Sequence, residues 1–230
     1  MKKHDVYIAL GAVLLLMPFF TCHSVYGFYE TFNSEHGMVM SFIKFAVLAT
    51  FGEAIGLRIR TGHYNHAGFG LLPRAVVWGF IGLTIKLAFV IFAVGTPAFL
   101  AYMGFGDAPL VMKGSLTLSK VEVAFVISAA MNIIYAPVMM TFHKITDSHI
   151  TANGGKLACL LKPIKMGGIM QNINWNVQWN FVFKKTIPFF WIPAHTITFL
   201  MPAEMQVLFA AMLSVALGIL LSVASLKSGK

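Results

Sequence analysis

Residues 75–103 read AVVWGFIGLTIKLAFVIFAVGTPAFLAYM, with Lys86 as the single charge. A helix needs about 20 mostly apolar residues to cross the hydrocarbon core of a bilayer, and this run exceeds that length. Further apolar stretches occupy roughly 6–28, 38–57, 121–142, 186–203 and 205–226. Lipid cannot satisfy an unpaired backbone N–H or C=O, so helices are the expected spanning form. Runs such as Val13-Leu14-Leu15-Leu16-Met17 lack the apolar–polar alternation of barrel strands. Hydrophobic residues make up 58% of the chain, charged residues 11%, and mean hydropathy is +0.77. A soluble domain of this size has no use for so much apolar surface. The expected fold is an all-α polytopic transmembrane bundle of about six spans, one integral membrane domain over 1–230.

Positive charge sets orientation. Lys2 and Lys3 precede the first span, and Arg58, Arg60 and Arg74 lie between the second and third. Lys144, Lys156, Lys162, Lys165, Lys184 and Lys185 lie between the fourth and fifth, and Lys227 and Lys230 follow the sixth. With six crossings all of these fall on one side, which places both termini on the basic, cytoplasmic-type face. The opposite loops hold only Lys113 and Lys120 among the basic residues. The formal charge of +9 is therefore a topology signal. It is spread over short loops, unlike a nucleic-acid footprint. The N-terminus has a basic start and an apolar run. Thr21-Cys22-His23-Ser24 offers no clear small-x-small cleavage site, so the first helix is expected to be retained. Cys22 and Cys159 fall on opposite sides, so no disulfide joins them.

Two connections are long. Residues 58–74 carry Gly62, Gly68, Gly70 and Pro73 with His63 and His66 and read as a structured inner loop. Residues 148–183 are too polar to span. Their amides alternate with Ile169, Ile173, Trp175, Val177 and Trp179, which reads as an amphipathic helix at the inner interface. The other reading is a lining for a polar pathway. Pro188, Pro193 and Pro202 break the regularity of the fifth span.

Charged groups inside a bilayer normally face protein or water and have partners. Glu53 near the inner end of span two and Lys86 deep in span three form a candidate intramembrane pair, either a structural salt bridge or the lining of a polar path. Lys44 lies nine residues from Glu53, on the opposite helix face, and is expected to snorkel. Asn132, His195, Thr196 and Thr198 are expected to join helices by hydrogen bonds. Gly52 and Gly56 allow close helix approach. Ala210, Ser214, Gly218 and Ser222, four apart, form a ladder of small residues for packing within the chain or across a dimer. No nucleophile–base set, phosphate-binding glycine loop or metal-ligand spacing is visible. Catalytic, cofactor and metal sites are therefore expected to be absent.

Two segments carry a resemblance. Ala136-Pro137-Val138-Met139-Met140-Thr141-Phe142-His143-Lys144-Ile145-Thr146-Asp147 resembles a signature of the Mpv/PMP family of small peroxisomal and mitochondrial inner-membrane proteins. Pro137, Lys144 and Asp147 stand at the family's spacing. Phe142 and His143 replace the usual Trp and Tyr. Phe190-Trp191-Ile192-Pro193-Ala194-His195 is similar to the family's aromatic-Val-Pro-x-His stretch, with Trp191, Pro193 and His195 at the matching positions. Gly52-Glu53 is similar to a Gly-Asp in the family's first helix. Family members usually have four spans. The resemblance implies a small integral membrane protein proposed to form a pore for small solutes, in an organelle membrane or, for a bacterial-style member, the inner membrane.

The expectation is a non-enzymatic, channel-like or transport protein for small solutes or ions. The alternative is a membrane scaffold or accessory subunit. Its expected partners are the lipid bilayer and either a second copy of the chain or a membrane partner subunit, with no nucleic acid.

Overall fold

The structure is a computed structural model that describes residues 3–228; Lys2 and Lys230 of the charge count lie outside the described residues. Among the described residues the chain is helical throughout its regular structure and has no strand. It forms two compact units, Met1–Met40 and Ser41–Lys230.

The first unit holds α1 (Lys3–Thr21) and α2 (His23–Glu35), bent by 90° at Cys22. The expected straight span over 6–28 is thus corrected. The apolar run ends near Phe20, and α2 carries Ser24, Tyr26, Tyr29, Glu30, Thr31 and Asn33. Cys22 is extended (φ −119, ψ 105). α2 buries none of its residues.

The remaining helices are α3 (Gly37–Thr61), α4 (Leu71–Tyr102), α5 (Ala108–Lys113), α6 (Leu118–Ala152), α7 (Met166–Asn172), α8 (Trp175–Val177), α9 (Ile192–Leu200) and α10 (Ala203–Ser228). A 3-10 turn occupies Leu157–Leu161 and a π-helix Gln178–Trp191. Four helices are long and apolar enough to cross a membrane: α3, α4, α6 and α10. The bent pair α1–α2 makes a fifth candidate.

Helix ends differ from the sequence expectation in an informative way. α4 begins at Leu71 instead of 75, and α6 runs ten residues past 142 to Ala152. Hydropathy marks only the part of a helix that sits in lipid. The backbone ladder continues beyond it, and so carries Arg74, His143 and Asp147 on helices.

The fifth segment is also corrected. The single amphipathic helix expected within 148–183 is divided: α6 extends to Ala152, the 3-10 turn and α7 follow, and the residues from Trp175 on run into the fifth segment. Val177, Gln178, Trp191 and Ile192 all have right-handed helical angles, so α8, the π-helix and α9 follow without a break. The true break is at Ile173, extended at ψ 132, and Asn174 caps the restart by accepting from Val177 N–H at 3.1 Å. Pro188 and Pro193 lack the donors that an α-helical ladder requires. The Ile192 amide reaches back five residues to the Ile187 carbonyl, the spacing of a π-helix.

The main core joins α3, α4, α6, α9 and α10 through Phe45, Ile81, Phe89, Ile127, Phe199 and Ala211. Small residues set the helix spacing. A Cβ on Gly52 would lie 2.8 Å from Val215 Cα, and one on Gly56 2.7 Å from Ser222 Oγ. A Cβ on Gly218 would lie 3.0 Å from the Gly52 carbonyl oxygen. The glycines of α3 and the small residues of α10 therefore meet within one chain. Nearer the start of α3, a Cβ on Gly82 of α4 would meet the Ser41 carbonyl oxygen at 2.6 Å.

Candidate functional site

The Arg74 side chain is 7% exposed, and four groups hold it. Its Nε donates to the Phe69 carbonyl at 2.7 Å, and its Nη1 donates to Glu53 Oε2 at 2.7 Å. The guanidinium also pairs with Asp147 and lies over the Phe69 ring, 4.5 Å from the centroid. A buried cation is tolerable only when paired and hydrogen-bonded. Here two carboxylates, a carbonyl and a ring face do that work together.

Local sequence puts Arg74 in place. Gly70 precedes α4 at φ +74, a left-handed conformation that glycine adopts without strain. A Cβ there would also strike Ile150 Cγ2 at 2.6 Å and Gly155 Cα at 2.8 Å. The loop 62–70 and the turn after α6 thus lock together, and α4 enters with Arg74 one turn in.

Glu53 has both oxygens engaged. Oε1 accepts from Trp78 Nε1 at 2.8 Å and lies 2.9 Å from His143 Nε2; Oε2 accepts from Arg74. Trp78 and His143 rings stand 4.3 Å apart. His143 and Asp147 are four apart on α6 and so share one face. With His143 neutral the four ionisable groups carry one net negative charge, and protonation of His143 cancels it.

The expected Glu53–Lys86 pair is corrected. Glu53 is satisfied by Arg74, Trp78 and His143, whereas Lys86 lies twelve residues beyond Arg74 on α4, about 18 Å along the axis. Lys44 is buried at 6% exposure instead of snorkelling. Asn132, Thr196 and Thr198 bond carbonyls of their own helices, at Ser128, Ile192 and Ala194. A bond from α6 to the start of α9 comes instead from a residue the sequence did not single out: Ser128 Oγ donates to the Ile192 carbonyl at 2.7 Å.

Of the motif positions, His143 and Asp147 enter the ion cluster, while Phe142 and Lys144 are exposed. Pro137 sits inside α6, and Pro193 lies at the start of α9. Trp191 and His195 are buried with their rings stacked 5.2 Å apart, and Trp191 Nε1 and His195 Nδ1 have no hydrogen-bond partner among the described residues.

One candidate metal-binding set exists among the described residues. Donor atoms of Glu53, His143 and Asp147 lie within 4.8 Å of one another. Arg74 contacts both carboxylates, so its guanidinium supplies the positive charge that a cation would bring there.

Glu53 also stands between two cavities. One of about 350 Å3 lies toward Arg60, His66, Arg74 and Asp147. The other, about 260 Å3, lies toward His143, Lys144, Gln178 and Thr186. Glu53, Gly218 and Leu221 line both. A smaller void of about 40 Å3, lined by Asn132, Tyr135 and His195, shares Trp78, Met139, Met140, Trp191 and Ser214 with the second. The three follow one another from the end of the bundle toward its middle. No known protein family, curated protein or solved structure matches the chain.

Proposed function

We propose that this chain is an integral membrane protein with a channel-like or transport role for small solutes or ions, entered from its basic face. The observation that carries this reading is the position of Glu53. A part-buried ionised cluster, closed around the buried Arg74, is set between two cavities that share the Glu53 carboxylate in their walls. Ionisable groups within membrane-spanning helices commonly mark solute and ion pathways. A bundle built only for packing has no need of a row of voids, because interiors otherwise close to crystal-like density. A bacterial inner membrane or an organelle membrane is the corresponding location.

The test is solute and ion flux through purified protein in liposomes. Wild type is compared with Glu53→Gln and with Leu221→Trp, which fills the wall shared by both cavities. Wild-type flux that Leu221→Trp cuts several-fold supports the reading. Absence of flux from folded wild-type protein overturns it. The scaffold or accessory-subunit reading has one observation in its favour: α2 buries none of its residues within its own unit.

A further inference from the structure

We infer that the cavity of about 260 Å3 between α6, α10 and the π-helix binds an amphiphilic anion, a carboxylate or phosphate head on a short apolar body. The observation behind this is Gln178. Its residue is only 7% exposed and lines the cavity, yet its side-chain amide makes no hydrogen bond to any described residue. The amide is reached from the cavity space, so it offers both N–H donors and a carbonyl acceptor to a ligand atom there.

The charge of the ligand follows from what is already spent. Both Glu53 oxygens are taken by Trp78, His143 and Arg74, so this wall offers no free carboxylate to a cation. What remains is a set of donors. Lys144 lines the same cavity and has no ion pair among the described residues. The Gln178 amide in the same wall adds N–H donors beside it. The fixed charges around this cavity and its neighbour are Glu53 and Asp147 against Arg60, Arg74 and Lys144. With His66 and His143 neutral, one positive charge is in excess.

The apolar body follows from the other walls. Met139, Met140, Val182, Trp191, Leu217 and Leu221 face the cavity. A mostly apolar cavity with a few convergent polar groups is the usual form of a small-molecule site, whose volumes begin near roughly 300 Å3. The space suits an acid of about ten non-hydrogen atoms, or the headgroup end of an anionic lipid. This inference rests on the channel-like reading for its meaning as a solute, but binding is measured without flux.

The probe is octanoate, titrated calorimetrically into delipidated protein in neutral detergent, with octylammonium as the charge control. Saturable single-site binding is expected, weakened tenfold or more by Gln178→Leu and by Lys144→Gln, with octylammonium unable to compete. Both variants are checked by thermal unfolding, and Lys144→Gln changes an exposed residue that leaves the core intact. Displacement of octanoate by phosphatidylglycerol identifies a lipid head as the source; binding insensitive to that lipid identifies a free acid. Binding no greater than to empty micelles overturns the inference, as does binding unchanged in both variants or equal binding of octylammonium. Octanoate binding without flux in liposomes overturns the channel reading alone. Flux without octanoate binding overturns this inference alone.

Discussion

Arg74 and Glu53, 21 positions apart, meet through a 2.7 Å bond from Nη1 to Oε2, and Asp147 contacts the same nitrogen. One guanidinium therefore separates two carboxylates. Arg74→Met leaves both facing each other in a part-buried setting; breaking a fully buried pair costs about 3–5 kcal/mol, and the cost here is expected at or below the lower end of that range. Glu53→Gln keeps the Arg74–Asp147 contact and is expected to cost less. Combining the two substitutions should recover part of the loss. Thermal unfolding in detergent reads this order; an Arg74→Met protein as stable as Glu53→Gln would show that the cluster does not hold the helices.

The α3–α10 contact gives a second prediction. A methyl at position 52 meets backbone at Val215 Cα, 2.8 Å away, and backbone cannot step aside as a side chain can. Gly52→Ala should lower stability by about 1–3 kcal/mol. Gly95, also helical, has nothing within 4 Å of its would-be Cβ, so Gly95→Ala should be neutral or stabilising by up to about 1 kcal/mol. Equal responses at the two positions would refute the close approach.

The two cysteines should differ in reactivity. Cys22 is exposed and Cys159 is buried, and burial pushes the Cys159 thiol above its ordinary pKa. Only the thiolate attacks maleimide. N-ethylmaleimide should label one site in the folded protein and two after denaturation, with Cys159 still slow at pH 9. The unfolded thiol ionises near pH 8.5, before the folded one. Cys159 therefore withdraws stability as pH rises above that value and has no effect below it. Fast labelling of Cys159 in folded protein at pH 7 would contradict its burial.

Orientation is tested by replacing Asp107 and Lys165 with cysteine in a Cys22→Ser background. Asp107 caps α5 after α4, and Lys165 precedes α7 after α6. The distribution of basic residues predicts that an impermeant thiol reagent reaches one of them from each face. Labelling of both from the same face would refute a crossing by α6 between them.

How legible the cluster was differs residue by residue. Glu53 stood out because a carboxylate among apolar residues is costly, which is a property of composition alone. Arg74 did not, because it lies just before the apolar run and reads as an ordinary inner-loop cation. His143 and Asp147 appeared only as motif positions. Nothing in hydropathy says that α6 keeps its helical ladder for ten residues past the lipid-compatible stretch. Lys86 was matched to Glu53 by proximity along antiparallel helices, but an apolar run fixes neither the rotation nor the axial offset of its helix.

By itself the sequence determined the helical class and the long apolar helices α3, α4, α6 and α10, since length and apolarity are local properties that any window of residues carries. It also marked Gly52, Gly56 and Gly218 as places where helices can approach. Only the tertiary structure decided that these glycines meet one another, that Glu53 chooses Arg74 over Lys86, and that Gln178 is left facing a cavity. Those outcomes depend on how the helices are rotated and offset against each other. Packing among residues far apart in the chain sets that, and no local pattern encodes it.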